Sequence, residues 1–325
     1  MEHIEIRSIQ SRHEQAKVYE VLEAAFPEDK AFFIERLEAE PAYNPETTWI
    51  ASIDGNIAAS VQIFPFDIWY GKRKLSVAGI GNVATHPNYR GRGLTHQILR
   101  RMLAWMEMQK YDLSLLFTGI PSFYERMGWI PIQEAVHTIE HKSRDEEDGR
   151  AGFFEHLQIH PFTVEDKPDV RRLYKACSQR YGGARVRSES YWEQAIFRRI
   201  GTKLTALVAK RNERPVAYLL YKKEADGLFI QELCWEPQAD KAVVALLERI
   251  KEQVRLVFPH QQKSMMWERH FTTRTIYKSE AMWRVITRES LAEKTGMEVG
   301  EKTDEEMIHS LFAPSTFLFW RADKF

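Results

Sequence analysis

The chain has only two cysteines, Cys177 and Cys234, in 325 residues. That is too few for a disulfide framework, and their spacing is not that of metal ligands. No apolar run approaches the roughly 18 residues that a membrane-spanning helix needs. The opening stretch MEHIEIRSIQ has no apolar signal core either. Neither sign of charge is in excess, because 46 basic residues face 46 acidic ones. A protein held to nucleic acid by phosphate contacts would carry a basic surplus, and the pairs Arg90/Arg92 and Arg198/Arg199 sit among acidic or apolar neighbours. His137 and His141 share a face, yet nothing supplies a third ligand, so no metal is expected. Two phosphate-loop signatures, Gly-x-x-x-x-Gly-Lys-Ser/Thr and Gly-x-Gly-x-x-Gly, are missing as well. What remains is a soluble, cytoplasmic protein with no membrane or nucleic-acid partner. Its 44% apolar and 12% aromatic residues can build real cores, and its length favours two or three domains.

Against these absences stands one stretch, AGIGNVATHPNYRGRG, over residues 78–93. A strand-like run over 76–85 breaks at His86-Pro87-Asn88, and Arg90-Gly91-Arg92-Gly93 then opens a helix. Leu94, Ile98, Met102 and Met106 recur every four residues along that helix, which is the pattern of one buried face. A glycine-rich turn at a helix start leaves backbone N–H groups unpaired, with the positive end of the helix dipole behind them. Gly91 and Gly93 let the backbone approach a ligand closely, and Arg90 and Arg92 add full charges. The turn is a cradle for pyrophosphate.

The coarse order of elements fits a mixed α/β chain. Strands and helices are expected at 4–9, 13–26 and 30–38, then three strands at 48–53, 57–68 and 76–85, with Asp54-Gly55-Asn56 as a hairpin turn. The cradle helix runs to about 109, followed by a strand at 113–117 and a short helix at 122–127. A charged stretch at 143–152 is the expected linker. Nearly the same order then repeats: strand 157–162, helices 164–178 and 188–198, strands 204–210, 216–222 and 228–235, and a helix over 239–257. At the strand-to-helix junction of this second copy stands Glu236-Pro237-Gln238-Ala239-Asp240. Two carboxylates and no glycine make a poor anion site, so only the first copy should bind a phosphate-bearing ligand. Expected beyond 261 are strands at 264–267 and 281–286, helices at 289–294 and 304–311, and a tail closing on Phe325.

The cradle resembles the Arg/Gln-x-x-Gly-x-Gly/Ala loop of the GNAT acetyltransferase superfamily, with Arg90 and Gly93 in the first two fixed places. Thr95 stands where the last small residue belongs, which is a departure. The run Phe123-Tyr124-Glu125-Arg126-Met127-Gly128-Trp129 resembles a second GNAT signature, Phe-Tyr-x-x-x-Gly-Phe. The resemblance implies acetyl-coenzyme A as co-substrate. Its pyrophosphate would be held by Arg90, Gly91, Arg92, Gly93, Leu94 and Thr95, and its pantetheine arm paired along Val83, Ala84 and Thr85. Tyr124 falls on the position that protonates the departing thiolate in many members, while Phe123 and Trp129 would pack the core.

An active copy, a second copy without the loop and a small C-terminal region together resemble the Eis acetyltransferases. The fold class implied is α/β (α+β): two GNAT-like mixed-sheet domains in tandem, at 1–142 and 153–260. A small α+β region at 261–325, with its strand Met282-Trp283-Arg284-Val285-Ile286, resembles a shortened sterol-carrier-like domain. In Eis proteins the chain's own terminal carboxylate is the base, which maps here to the α-carboxylate of Phe325. The activity implied is N-acetyl transfer to a primary amine of a small polyamine-like or aminoglycoside-like molecule, or of a lysine side chain. A cationic polyamine needs carboxylates over an aromatic floor, and Phe26, Glu28, Phe32, Phe66, Trp69, Glu232 and Asp323 are candidates by placement. Homo-oligomers are known among Eis relatives, and nothing in this chain fixes a number of subunits. A non-catalytic acyl-coenzyme A sensor is the alternative, against which Tyr124 speaks. A long-chain or aminoacyl transferase is a third, against which the intact loop and the balanced charge speak.

Overall fold

The computed structural model describes residues 2–29, 31–34, 44–142, 156–224, 227–259, 269–298, 300, 302–313 and 315–325. The expected linker at 143–152 and strand at 264–267 lie outside the described residues, as does most of the helix at 30–38, of which 31–34 is helical. The first part of the chain runs β1 (Ile4–Ser8), α1 (Arg12–Ala25), β2 (Thr48–Ile53), β3 (Asn56–Tyr70), β4 (Arg73–Thr85), α2 (Leu94–Met108), β5 (Leu113–Phe117), α3 (Pro121–Glu125), β6 (Ile130–Pro131) and β7 (Glu134–His141). The second runs β8 (Leu157–Pro161), α4 (Lys167–Ser178), β9 (Gly182–Arg185), α5 (Glu189–Tyr191), β10 (Thr205–Arg211), β11 (Arg214–Glu224), β12 (Gly227–Trp235), α6 (Asp240–Arg249) and β13 (Val254–Val257). It is followed by β14 (Phe271–Lys278), β15 (Ala281–Val285), α7 (Arg288–Thr295) and α8 (Asp304–Leu311).

Local chemistry accounts for the first sheet. Ser11 caps α1 by accepting from the Glu14 N–H at 3.3 Å. Asp54 (φ 50°) and Gly55 (φ 83°) make the tight turn between β2 and β3, the two positive φ values that a twisted two-residue hairpin demands. On α2, Leu94, Ile98, Leu99, Met102 and Met106 are buried against Ala51, Ala59, Val61, Ala78 and Ile80 of the sheet. Each fully buried side chain of this size contributes about 1.5–3 kcal/mol relative to exposure.

Among the described residues the strands form two sheets. One has the order β1-β2-β3-β4-β5-β15-β6, with β9 pairing β3; the other has the order β14-β7-β13-β12-β11-β10-β8. The two halves therefore exchange strands. Strand β7, from the first half, pairs with β13 and β14 of the second sheet. Strand β15 inserts between β5 and β6 of the first sheet. The described strands of 261–325, expected as part of a small region of their own, belong instead to these two sheets. Helix α8 packs its Met307, Ile308 and Leu311 into the cluster that holds Trp283, Leu113 and Leu115.

The helix expected over 239–257 is shorter and is followed by a strand. Helix α6 ends at Arg249, and Val254 and Leu256 alternate as buried positions in β13, parallel to β12. Burial between two sheet neighbours overrides the helix reading of four residues rich in β-branched side chains. Strands β9 and β14 had no counterpart among the expected elements.

Candidate active site

Strands β4 and β5 run parallel and are bonded from Val77↔Leu113 to Ile80↔Leu116, and there the pairing ends. On its other side β4 stays paired to β3 as far as Thr85. The β5-facing edge of Gly81 to Thr85 is thus open, and Val83, Ala84 and Thr85, singled out from the sequence, lie on it. Asn82 sits in this edge at φ 49°, opposite an irregularity in the register near Val61. This is a β-bulge, which re-aims a strand locally. The Asn82 Nδ2 group is buried without a hydrogen-bond partner among the described residues. Sequence reasoning passed over Asn82, although an asparagine after Gly79 and Gly81 was a signal of a broken strand.

The cradle follows directly. Residues 87–89 form a 3₁₀ turn, and Gly91 (φ 78°) and Gly93 (φ 67°) adopt left-handed conformations, with Gly93 as the residue preceding α2. No side chain caps α2, so its first-turn N–H groups remain available. A Cβ at either glycine would meet nothing within 4 Å, so the turn opens onto free space. The Arg90 Nε group donates to the Thr85 carbonyl at 3.4 Å. The Thr85 and Thr95 hydroxyls lie 2.7 Å apart. Thr95, the departure from the loop pattern, thereby ties the strand end to the helix start. Arg92 pairs with exposed Glu2 at 2.6 Å and lies 5.5 Å over the partly buried Tyr89 ring. Such a pair is weak and readily gives way to a phosphate. Among the described residues no group of three or more His, Cys, Asp or Glu could hold a metal ion. No described helix is long and apolar enough to cross a membrane.

Tyr124 is buried on α3, with Pro121 at the first turn of that helix. It belongs to the apolar cluster that contains Ala78, Ile80 and Leu116 at the end of the β4–β5 pairing. Its ring meets Phe123 at 4.9 Å and Trp129 at 6.2 Å. Burial pushes its phenol up to about 12, so the proton stays on at neutral pH. Trp129 is buried, and its Nε1–H donates to Ser114 Oγ at 3.3 Å, which in turn donates to the Ala78 carbonyl at 2.9 Å.

Phe325 lies on the opposite face. Residues alternate along a strand, so Gly79 and Gly81 face away from Ala78 and Ile80. The Phe325 ring fills the space beside both glycines, with centroid distances of 5.2 Å to Phe64, 5.5 Å to Phe66 and 5.7 Å to Phe117. Three contacts hold the preceding tail. Arg321 pairs with Glu224 at 3.2 Å, Asp323 with Arg187 at 2.9 Å, and Lys324 with Glu280 at 3.1 Å. Lys324 Nζ also lies 4.4 Å over the Phe117 ring and 4.0 Å from Glu134. Burial raises the Glu134 carboxyl above its ordinary range, with Lys324 opposing the shift. Sequence reasoning overlooked Arg187, Glu134, Glu280 and Lys324, whose partners lie far away along the chain.

The acceptor candidates divide into four groups. Phe66 touches the Phe325 ring and carries the Arg185 guanidinium at 4.7 Å. Phe26 and Phe32 are exposed, and each packs on Phe33 at 5.6 Å. Phe33 shares a cluster with Ala84, and exposed Glu28 stands nearby in sequence. Trp69 lies buried in the core of the second half. Glu232 and Asp323 are brought together, but as an internal ion cluster: both are 0% exposed and both bind Arg187. Their carboxylates face this guanidinium and the Tyr174 and Tyr218 hydroxyls, which leaves them no surface to offer a polyamine.

Residues 5–132 match the family model described as an acetyltransferase (GNAT) domain. No curated protein matches the chain significantly. Among solved structures, the chain is similar to a protein of unknown function from Enterococcus faecalis V583 described as a probable N-acyltransferase. That match has a TM-score of 0.71 at 19% identity and covers 90% of this chain and 75% of that one. It is also similar to Eis1 from Mycobacterium abscessus, with a TM-score of 0.62 at 15% identity over 89% of this chain and 75% of that one. Saccharomyces cerevisiae N-myristoyltransferase with bound myristoyl-CoA gives a TM-score of 0.53 at 10% identity, over 85% of this chain and 80% of that one. At these identities the structures speak for the fold, and the family model speaks for the domain. Residues 5–132 carry a GNAT acetyltransferase domain, and the chain as a whole shares the fold of these structures.

Proposed function

We propose that the chain transfers acetyl from acetyl-coenzyme A to a primary amine by direct attack in a ternary complex. The acceptor is a small polyamine-like or aminoglycoside-like molecule, or a lysine side chain. The observation that carries this reading is the parting of β4 from β5 beyond Ile80 and Leu116. An open glycine turn lies past the far end of the exposed edge, and Tyr124 and Phe325 lie on opposite faces near the point of parting.

In this reading the amides around Gly91 and Gly93, with Arg90, Arg92, Leu94 and Thr95, bind the pyrophosphate. The edge at Val83, Ala84 and Thr85 pairs with the pantetheine amides and directs the thioester towards the parting. An aliphatic amine with a pKa near about 10.4 arrives mostly protonated. The carboxylate of Phe325 takes its proton, and the nitrogen lone pair attacks the carbonyl carbon. The C–S bond breaks, and the sulfur receives the Tyr124 proton. A phenol near 12 is a weak acid towards a thiolate in water, whose conjugate acid lies near about 8.5. In the same dry pocket the thiolate's own basicity rises, which brings donor and acceptor together as the charge develops.

The test is to incubate the purified protein with acetyl-coenzyme A and a panel of polyamines, aminoglycosides and lysine peptides, reading free thiol. Amine-dependent release supports the proposal and ranks the acceptors. Tight acetyl-coenzyme A binding with background release alone would favour a sensor instead.

A further inference from the structure

We infer that the Phe325 ring is the stop against which the donor's acyl group ends, and that it restricts this enzyme to short acyl chains. The inference rests on the proposed path of the donor along β4. It is carried by why Gly79 and Gly81 are glycines. Neither is among the residues at positive φ, so backbone freedom does not require them. Space does: a Cβ at Gly79 would stand 2.5 Å from Phe325 Cζ and 2.8 Å from Phe66 Cε1. A Cβ at Gly81 would stand 2.9 Å from Phe64 Cε2 and 3.4 Å from Phe325 Cδ2. The two positions without side chains make room for the ring at the level where β5 leaves β4.

An acyl group entering along the open edge is bounded in three directions. Ahead, the strands rejoin at Ile80 and Leu116 through backbone hydrogen bonds. On one face stand Ile80, Leu116, Tyr124 and Trp129. On the other stands Phe325, backed by Phe64, Phe66, Phe117 and Phe319. The backbone that carries the partly buried ring is tethered. The preceding residue, Lys324, is paired to Glu280 at 3.1 Å, and Asp323 is held by Arg187 at 2.9 Å. A methyl group ends before this wall, whereas a longer chain must displace an aromatic ring from close-packed surroundings, which cores resist.

The experiment compares the wild type with Phe325→Ala, using acetyl-, propionyl-, butyryl- and hexanoyl-coenzyme A and one accepted amine. The substitution removes the ring and leaves the backbone carboxylate in place. A misfit of a methylene or two is worth about ten-fold or more in kcat/KM. The wild type should therefore fall by at least that between acetyl and butyryl donors, and the butyryl-to-acetyl ratio should rise about ten-fold or more in Phe325→Ala. A general loss of stability or positioning lowers all donors together and leaves the ratio unchanged, which would overturn the inference, as would a wild type that uses hexanoyl as well as acetyl. Binding of the unreactive S-ethyl and S-butyl thioethers of coenzyme A to both variants reads the same ratio without turnover. If no acceptor reacts with any donor, the proposed function fails. If the thioethers then still discriminate by length in the wild type and not in Phe325→Ala, the ring's role as a stop stands.

Discussion

Arg187 grips Asp323 through two hydrogen bonds of 2.9 Å, one from Nε and one from Nη2, where neither side chain meets solvent. The same guanidinium pairs with Glu232 and lies 3.8 Å from the Tyr174 ring centroid and 4.4 Å from that of Trp192. Arg187 and Glu232 belong to the second half, whereas Asp323 stands two residues before Phe325. The second half therefore anchors the tail whose last ring packs beside Gly79 and Gly81 of the first half's sheet.

Removing the cation strands two buried carboxylates, and breaking a buried pair from one side costs about 3–5 kcal/mol. Arg187→Met should thus lower the unfolding midpoint strongly. Asp323→Asn keeps a polar partner and leaves the Glu232 pair intact, so its loss should be smaller, about 1–3 kcal/mol. Denaturant unfolding of both variants checks the order. Equal midpoints for Arg187→Met and the wild type would remove the cluster from the account of stability.

Tyr124→Phe deletes the proposed acid and keeps the ring that packs between Phe123 and Trp129. Turnover should fall by about 10²–10⁴, the range typical of a positioned proton transfer, with donor affinity unchanged. The pH profile has a definite sign. Burial holds the phenol near 12, so the acid remains protonated across the accessible range. Activity should rise with pH as amine and base lose protons, without an alkaline fall below about pH 10. A descending limb centred near pH 8 or 9 would take the role from Tyr124.

How much of this was legible beforehand depended on distance along the chain. The glycine turn before α2 and the short helix with Phe123 and Tyr124 are local, and hairpin residues such as Asp54 and Gly55 carry their own φ requirement, so these elements could be read directly. The strand exchange could not, because β15 is placed by partners at 113–117 and 130–131. Strand β14 reads Phe-Thr-Thr-Arg-Thr-Ile-Tyr-Lys with a mostly exposed pattern, which gives no apolar alternation beyond its β-branched content. Glu232 and Asp323 were read as surface acids, since two buried carboxylates only make sense once Arg187 is known to stand between them.

Gly93 and Arg92 separate two ways in which the proposed cradle would hold the donor. Gly93→Ala imposes a left-handed φ on a residue with a Cβ, a strain of about 1–2 kcal/mol. If the turn relaxes out of its open form to relieve that strain, donor affinity should fall by roughly 5- to 30-fold. Arg92→Ala removes an exposed pair with Glu2 and a contact with the Tyr89 ring, so the unfolding midpoint should move little. Titration with coenzyme A at low and high salt checks both. The Arg92→Ala defect should shrink as salt screens the lost charge, and the Gly93→Ala defect should persist.

Glu134 offers a test of stability against pH. Burial raises its carboxyl above the ordinary value, partly offset by Lys324, and its Oε1 has no hydrogen-bond partner among the described residues. A group whose folded pKa lies above its unfolded one favours folding while protonated. Its contribution is present in full below the unfolded value, near about 4.3, and is lost as pH rises through the folded value. Glu134→Gln should therefore raise the unfolding midpoint at pH 7.5 and change it little at pH 4. The reverse order would mean that Lys324, rather than desolvation, decides the charge of this residue.

The exchanged strands give the last prediction. Strand β5 takes one ladder from β4 and the other from β15, and β6 pairs with β15 as well. A chain ending at residue 142 keeps β5 and β6 but loses β15, together with Trp283 and the α8 residues that cover Leu113 and Leu115. It would also carry β7 with neither of its partners, β13 and β14. Two unpaired edges and an uncovered apolar face favour association. Residues 1–142 expressed alone should therefore be aggregated or unfolded, by size-exclusion chromatography and circular dichroism. Residues 153–325 added in trans should restore a soluble complex, because they carry both the missing strand β15 and the partners of β7. A monomeric, cooperatively folded 1–142 fragment would show that the first half is stable without the exchange.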